Sequence, residues 1–77
     1  MFEKIREFIL EEVLQFIDKS EFSDDSNLFE LGLDSLNIMR LVFFLEEEFK
    51  IKIPEDKISI ENLSTVNSIQ NLVKSLL

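Results

Sequence analysis

The sequence predicts an all-α fold, a small three- to four-helix bundle with a long loop between its first and second helices. Three observations predict it. Apolar residues recur at helical spacing in three separate stretches. Hydrophobic residues make up 45% of the chain and charged residues 31%, a globular mixture and not the apolar-poor signature of a disordered tail. A chain of 77 residues has room for one modest core, so residues 1–77 are read as a single domain.

From Phe2 to about Ile17, the apolar residues Phe2, Ile5, Ile9, Val13 and Phe16 fall on one side of a helix, with Glu3, Glu7, Glu11 and Glu12 on the other. The stretch "DKSEFSDDSNLFELGL" carries turn formers without a sustained period and reads as an ordered loop pinned by Phe22, Leu28, Phe29 and Leu31. A loop of that length in so small a domain is usually functional. The second helix should begin at Asp34 or Ser35 and run to about Phe49, turning Ile38, Leu41, Val42, Leu45 and Phe49 to the core. "KIKIPEDKI" alternates briefly as a strand would, but its proline favours an extended link followed by a short helix near Glu55 to Ile60. A final helix fits Thr65 to Leu76, capped by Ser64 or Thr65 and stitched inward by Val66, Ile69, Leu72, Val73 and Leu76.

Composition then excludes function classes. The chain has no cysteine, hence no disulfide and no zinc-thiolate site, and no histidine, the usual general base. Sixteen acidic against eight basic residues give a net charge of −8, which repels nucleic acid and anionic lipid and attracts basic protein patches. The longest apolar run, Leu41 to Leu45, is far short of the ~20 residues a membrane span requires. "MFEKIREFILEEV" mixes acidic residues into its apolar ones, unlike a secretory signal or a transit peptide, and a cytoplasmic monomer is expected.

Against that background "LGLDSLNIMRL", residues 31–41, brings a serine to the mouth of a helix. With Asp34 as N-cap, Ser35 takes the first helical position and holds its hydroxyl outside the bundle. Unpaired backbone N–H groups and the partial positive charge of the helix start suit an anion carried covalently on that oxygen. As a nucleophile in its own right the serine lacks a histidine, and no candidate lysine lies nearby in sequence. Taken alone, Asp34-Ser35 is equally well read as a plain helix cap. A second apolar set, Leu36, Met39 and Phe43, lies rotated away from the core stripe and suggests a docking face beside Ser35. Phe44 widens that band, though cover by the third helix and the loop explains it better. Glu46, Glu47 and Glu48 oppose the helix dipole, so local stability does not account for them. They form either an acidic rim that steers basic partners or a solubilising face.

"LGLDSL", followed by a helix containing "LEEEF" and then "IP", closely resembles the acyl carrier proteins and their relatives, the phosphopantetheine-binding carrier domains. The resemblance covers essentially the whole chain. The Asp-Ser-Leu core alone is a weak pattern; with the chain length, the acidity and "LEEEFKIKIP" it becomes highly specific. It implies that Ser35 receives 4′-phosphopantetheine from a phosphopantetheinyl transferase, which takes it from coenzyme A, and that the thiol this chain lacks arrives on that cofactor. By the same resemblance Asp34 belongs to the transferase recognition motif, Asp34 and Leu36 are cofactor-binding residues on either side of Ser35, and Leu36, Met39, Arg40, Phe43, Glu46 and Glu47 belong to the face read by acyl-loading and acyl-processing enzymes with basic patches. Val42, Leu45, Phe49, Ile53, Leu63 and Ile69 are implied candidates for an acyl-sheltering cavity, each equally explained as core.

The chain departs from the family at one position. Where fatty-acid carriers commonly show an acidic residue five positions after the serine, this sequence has Arg40, a reversal that changes tolerated partners more than the fold. A discrete carrier in a polyketide, peptide or other specialised pathway is therefore an alternative to the housekeeping fatty-acid carrier, and Phe43 and Phe44 point the same way. A small acidic adaptor without cofactor is the alternative from another class. A calcium loop is excluded: counting from Asp24, Leu28 falls where a ligand is required and Ser35 where the twelfth-place glutamate should stand.

Overall fold

The fold was analysed in a computed structural model, which describes residues 3–14 and 22–77. Helix α1 spans Glu3–Phe8 and passes directly into a π-helical turn, Ile9–Val13, closed by the Leu14 N–H on the Ile9 carbonyl at 2.7 Å. One uninterrupted helix to Ile17 was expected; residues 15–17 lie outside the described residues, and before them the register widens by one. The packing accounts for the widening. Ile5 and Ile9 are fully buried, and the extra residue in the turn carries Leu14 into the core position that Val13 holds in a regular helix, leaving Val13 half-buried.

Residues 22–34 form the ordered loop, anchored by side chains and backbone together. Phe22, Leu28 and Leu33 are buried, while Phe29 and Leu31 pack against the core edge. The Leu28 N–H donates to the Ser64 carbonyl at 2.7 Å and the Asn67 N–H to the Asp24 carbonyl at 3.1 Å, tying the loop to the start of the last helix. Arg6 ties it to α1, paired with Asp24 at 3.6 Å and lying 5.5 Å over the Phe22 ring. Gly32 turns the chain at φ +121°, a region that side chains strain to adopt, and so delivers Leu33 inward and Asp34 outward.

Helix α2, Ser35–Phe49, buries Leu41, Val42 and Leu45 and half-buries Ile38 and Phe49, the stripe the spacing predicts. It stops at Lys50, which adopts the left-handed conformation (φ 56°, ψ 44°) more usually given to glycine. Lys50→Gly is expected to relieve that strain and raise stability by about 0.5–1 kcal/mol, checked by urea unfolding at constant slope.

The link through Pro54 is extended, and no strand occurs among the described residues. The short helix expected at Glu55 to Ile60 is instead two pieces, a 3₁₀ turn Glu55–Lys57 and helix α3, Ile60–Leu63. Ser59 separates them, because its hydroxyl caps α3 by accepting from the Asn62 N–H at 3.2 Å, while the Asn62 amide donates to the Lys57 carbonyl at 2.9 Å. Helix α4, Val66–Leu76, starts at Thr65 with a reciprocal capping box to Ser68 and buries Val66, Ile69, Leu72 and Val73. The four helices and the loop share one hydrophobic cluster, as a small all-α bundle requires.

Candidate functional site at the start of the second helix

Asp34 is extended (φ −123°, ψ 177°), and its Oδ1 accepts the Asn37 N–H at 2.9 Å while its carbonyl accepts the Ile38 N–H at 2.9 Å. It is the N-cap that the sequence indicates. Asp34→Ala is expected to cost about 1 kcal/mol, read from the shift in denaturation midpoint. With those two N–H groups taken, the N–H groups of Ser35 and Leu36 have no protein partner among the described residues. They are the donors that a helix start offers to an anion.

Ser35 follows the cap and is exposed. The other described serines have occupied hydroxyls: Ser23 and Ser26 bond each other, Ser59 caps α3, and Ser64, Ser68 and Ser75 donate to the carbonyls of Glu61, Thr65 and Leu72. Among the described residues Ser35 alone offers a hydroxyl that is exposed and without a hydrogen bond. A phosphodiester on this oxygen would have solvent and the unpartnered Ser35 and Leu36 N–H groups to satisfy its charge, so these residues fit a phosphate-linked arm.

Beyond the serine, Leu36 (74% exposed), Met39 (44%) and Phe43 (60%) stand out of α2 as a continuous apolar face. Ile60, 71% exposed in the first turn of α3, is a further exposed apolar residue that the sequence reading missed. Its signal was present, because Ser59 followed by Asn62 marks a helix start that places Ile60 in an outward first turn.

Three residues of this region do something other than expected. Phe44 is half-buried, and its ring stacks on Phe8 of α1, with centroids 4.3 Å apart and planes 9° from parallel, so α1 contributes cover that the sequence did not indicate. Glu46 turns back to the 51–54 link, where its carboxylate accepts the Ile53 N–H at 2.9 Å. This corrects the reading that stability does not account for it, because the bond holds Ile53 in the core. Glu47 and Glu48 remain exposed. Arg40 reaches across to the π-helical turn, donating to the Glu12 carboxylate at 3.0 Å, the Glu12 carbonyl at 3.1 Å and Asn37 Oδ1 at 3.3 Å. Both charged side chains are about half exposed, so the pair contributes under about 1 kcal/mol.

The proposed acyl-cavity residues Val42, Leu45, Ile53, Leu63 and Ile69 come together in the core, with Phe49 packed against them. They are buried as ordinary core side chains.

A short helical bundle that holds a free serine hydroxyl at a capped helix mouth, beside an exposed apolar face, is a carrier domain in form. Residues 3–74 match the family described as the phosphopantetheine attachment site. The chain is 36% identical over 76 residues to an acyl carrier protein of Clostridium acetobutylicum, covering 97% of this chain and 94% of that one. It is 32% identical over 77 residues to an acyl carrier protein of a Sulfurovum species, covering 99% and 97%. Its fold superposes with a TM-score of 0.84, at 24% identity, on a chain from the crystal structure of an engineered Bradyrhizobium japonicum glycine:[carrier protein] ligase complexed with a carrier protein from Agrobacterium tumefaciens and AMP, covering 96% of this chain and 99% of that one. The chain belongs to the acyl carrier protein family, whose cofactor is covalently attached 4′-phosphopantetheine.

Proposed function

We propose that this chain is an acyl carrier loaded with 4′-phosphopantetheine on Ser35, which passes thioester-bound acyl intermediates between partner enzymes. The observation that carries the reading is the free, exposed Ser35 hydroxyl at the start of α2, inside the matched residues. The attached group supplies a flexible thiol, the reactive atom that the chain's own composition lacks. The chain's residues hold and present it. Asp34 fixes the helix mouth, the Ser35 and Leu36 N–H groups face the anionic linkage, and Leu36, Met39 and Phe43 give partners an apolar surface next to the attachment oxygen. The net charge of −8 draws enzymes with basic docking patches, the transferase included, and keeps copies of the chain from associating, in keeping with a monomer.

A specialised pathway, polyketide or peptide in class, fits better than housekeeping fatty-acid synthesis. Arg40 supports this reading: although held by Glu12, its side chain is 47% exposed and keeps a guanidinium within reach of a partner. The test is incubation with coenzyme A, magnesium and a broad-specificity phosphopantetheinyl transferase, followed by intact-protein mass spectrometry and peptide mapping. One phosphopantetheine increment on the peptide containing Ser35 is expected. An unmodified chain overturns the reading in favour of an acidic adaptor.

A further inference from the structure

Arg40 does more than form a surface ion pair. Its Nη1 donates to the Glu12 carbonyl at 3.1 Å and to Asn37 Oδ1 at 3.3 Å, while its Nη2 donates to the Glu12 carboxylate at 3.0 Å. An ion pair needs only the carboxylate, whereas the carbonyl bond grips the backbone of the π-helical turn itself. Such turns are rare, and unusual backbone persists where its surroundings over-determine it. If the chain ran on from Ile9 as a regular helix, Glu12 would rotate by ~50° about the axis, and one guanidinium fork would no longer meet its carbonyl and carboxylate together. The clasp is therefore specific for the wide register.

Two routes lead from that clasp to the mouth of α2. On the first, Asn37 accepts from Arg40 on its side chain and donates its own N–H to Asp34 Oδ1 at 2.9 Å, so the guanidinium is bonded to the residue that the cap holds. On the second, the wide turn carries Leu14 into the core, where its Cδ2 lies 3.7 Å from the place a β-carbon on Gly32 would take. Gly32 makes the turn at φ +121° that delivers Leu33 and Asp34. We propose that Arg40 is a positioning residue, a latch that holds the turn at Ile9–Val13 in its wide register and thereby braces residues 32–35 from both sides. The proposal rests on this geometry and not on the loading of Ser35.

It is tested by NMR on the full unmodified chain, reading the contact between the Leu14 methyls and the Gly32 α-protons, the exchange rate of the Leu14 amide, and the amide shifts of Asp34 and Ser35. Arg40→Ala should weaken the Leu14–Gly32 contact by roughly half or more, speed exchange at Leu14 by roughly tenfold and move the Asp34 and Ser35 amides, while the buried amides of Ile69 and Val73 exchange as in the parent. Arg40→Lys keeps a positive charge opposite Glu12 but has no planar fork, so it should resemble Arg40→Ala. Glu12→Gln keeps the carbonyl and should fall between the two. An unchanged Leu14–Gly32 contact and Leu14 exchange rate in Arg40→Ala would overturn the proposal, because core packing alone would then set the register. So would full rescue by lysine, which reduces Arg40 to an ion pair, or equally faster exchange at Ile69 and Val73, which marks a general loss of stability.

Discussion

Ser35→Ala leaves the chain at its unmodified mass after exhaustive incubation with coenzyme A and transferase, while its unfolding midpoint stays within about 0.5 kcal/mol of the parent. Both halves follow from the local structure. The hydroxyl removed has no hydrogen bond among the described residues, and alanine is a better helix former than serine at an exposed position, so folding has nothing to lose. Loading has everything to lose, because the other described hydroxyls of serine are engaged in caps and turns. The paired measurements, mass spectrometry and urea unfolding, separate attachment from architecture. A modified Ser35→Ala chain would show that another residue is the post, and a large drop in stability would show that the serine is a structural cap after all.

The site was legible in the sequence because its geometry is local. An aspartate one residue ahead of a periodic apolar stretch announces a cap, and the cap alone places Ser35 at the first helical position. The core stripe of α2 was legible for the same reason: Leu41, Val42 and Leu45 recur at a spacing the helix fixes. What escaped was non-local. The single-residue widening at Ile9–Val13 is decided by whether Val13 or Leu14 fits a core built by distant segments, and nothing in residues 9–14 states that choice. Arg40 and Glu12 stand 28 residues apart, so a charge that reads as a free docking feature is half spent inside the molecule. Glu46 is a similar case. Its carboxylate follows helix-dipole rules only until the chain turns back and brings the Ile53 N–H within 2.9 Å.

Leu45→Ala is expected to cost about 3 kcal/mol and Leu36→Ala under about 0.5 kcal/mol, although both delete the same atoms from the same helix. Leu45 is fully buried where α2 faces the rest of the bundle, so its removal forfeits transfer energy and leaves a void that the surrounding core residues only partly collapse to fill. Leu36 is 74% exposed and already in water. In a domain of this size, 3 kcal/mol is most of the margin, and it corresponds to a fall in melting temperature of roughly 12–24 °C. The charge of −8 narrows the margin further at low ionic strength, since self-repulsion favours the expanded chain. Far-UV circular dichroism melts should therefore show Leu45→Ala partly unfolded at low salt, regaining a cooperative transition as salt screens the carboxylates, with Leu36→Ala superimposable on the parent at every salt concentration. Transferase loading then sorts the two in the opposite direction: folded Leu36→Ala loads more slowly because the apolar neighbour of Ser35 is gone, and Leu45→Ala, once refolded by salt, loads as the parent does. A stable Leu45→Ala would refute the core described here, and equal loading of Leu36→Ala would refute the docking face.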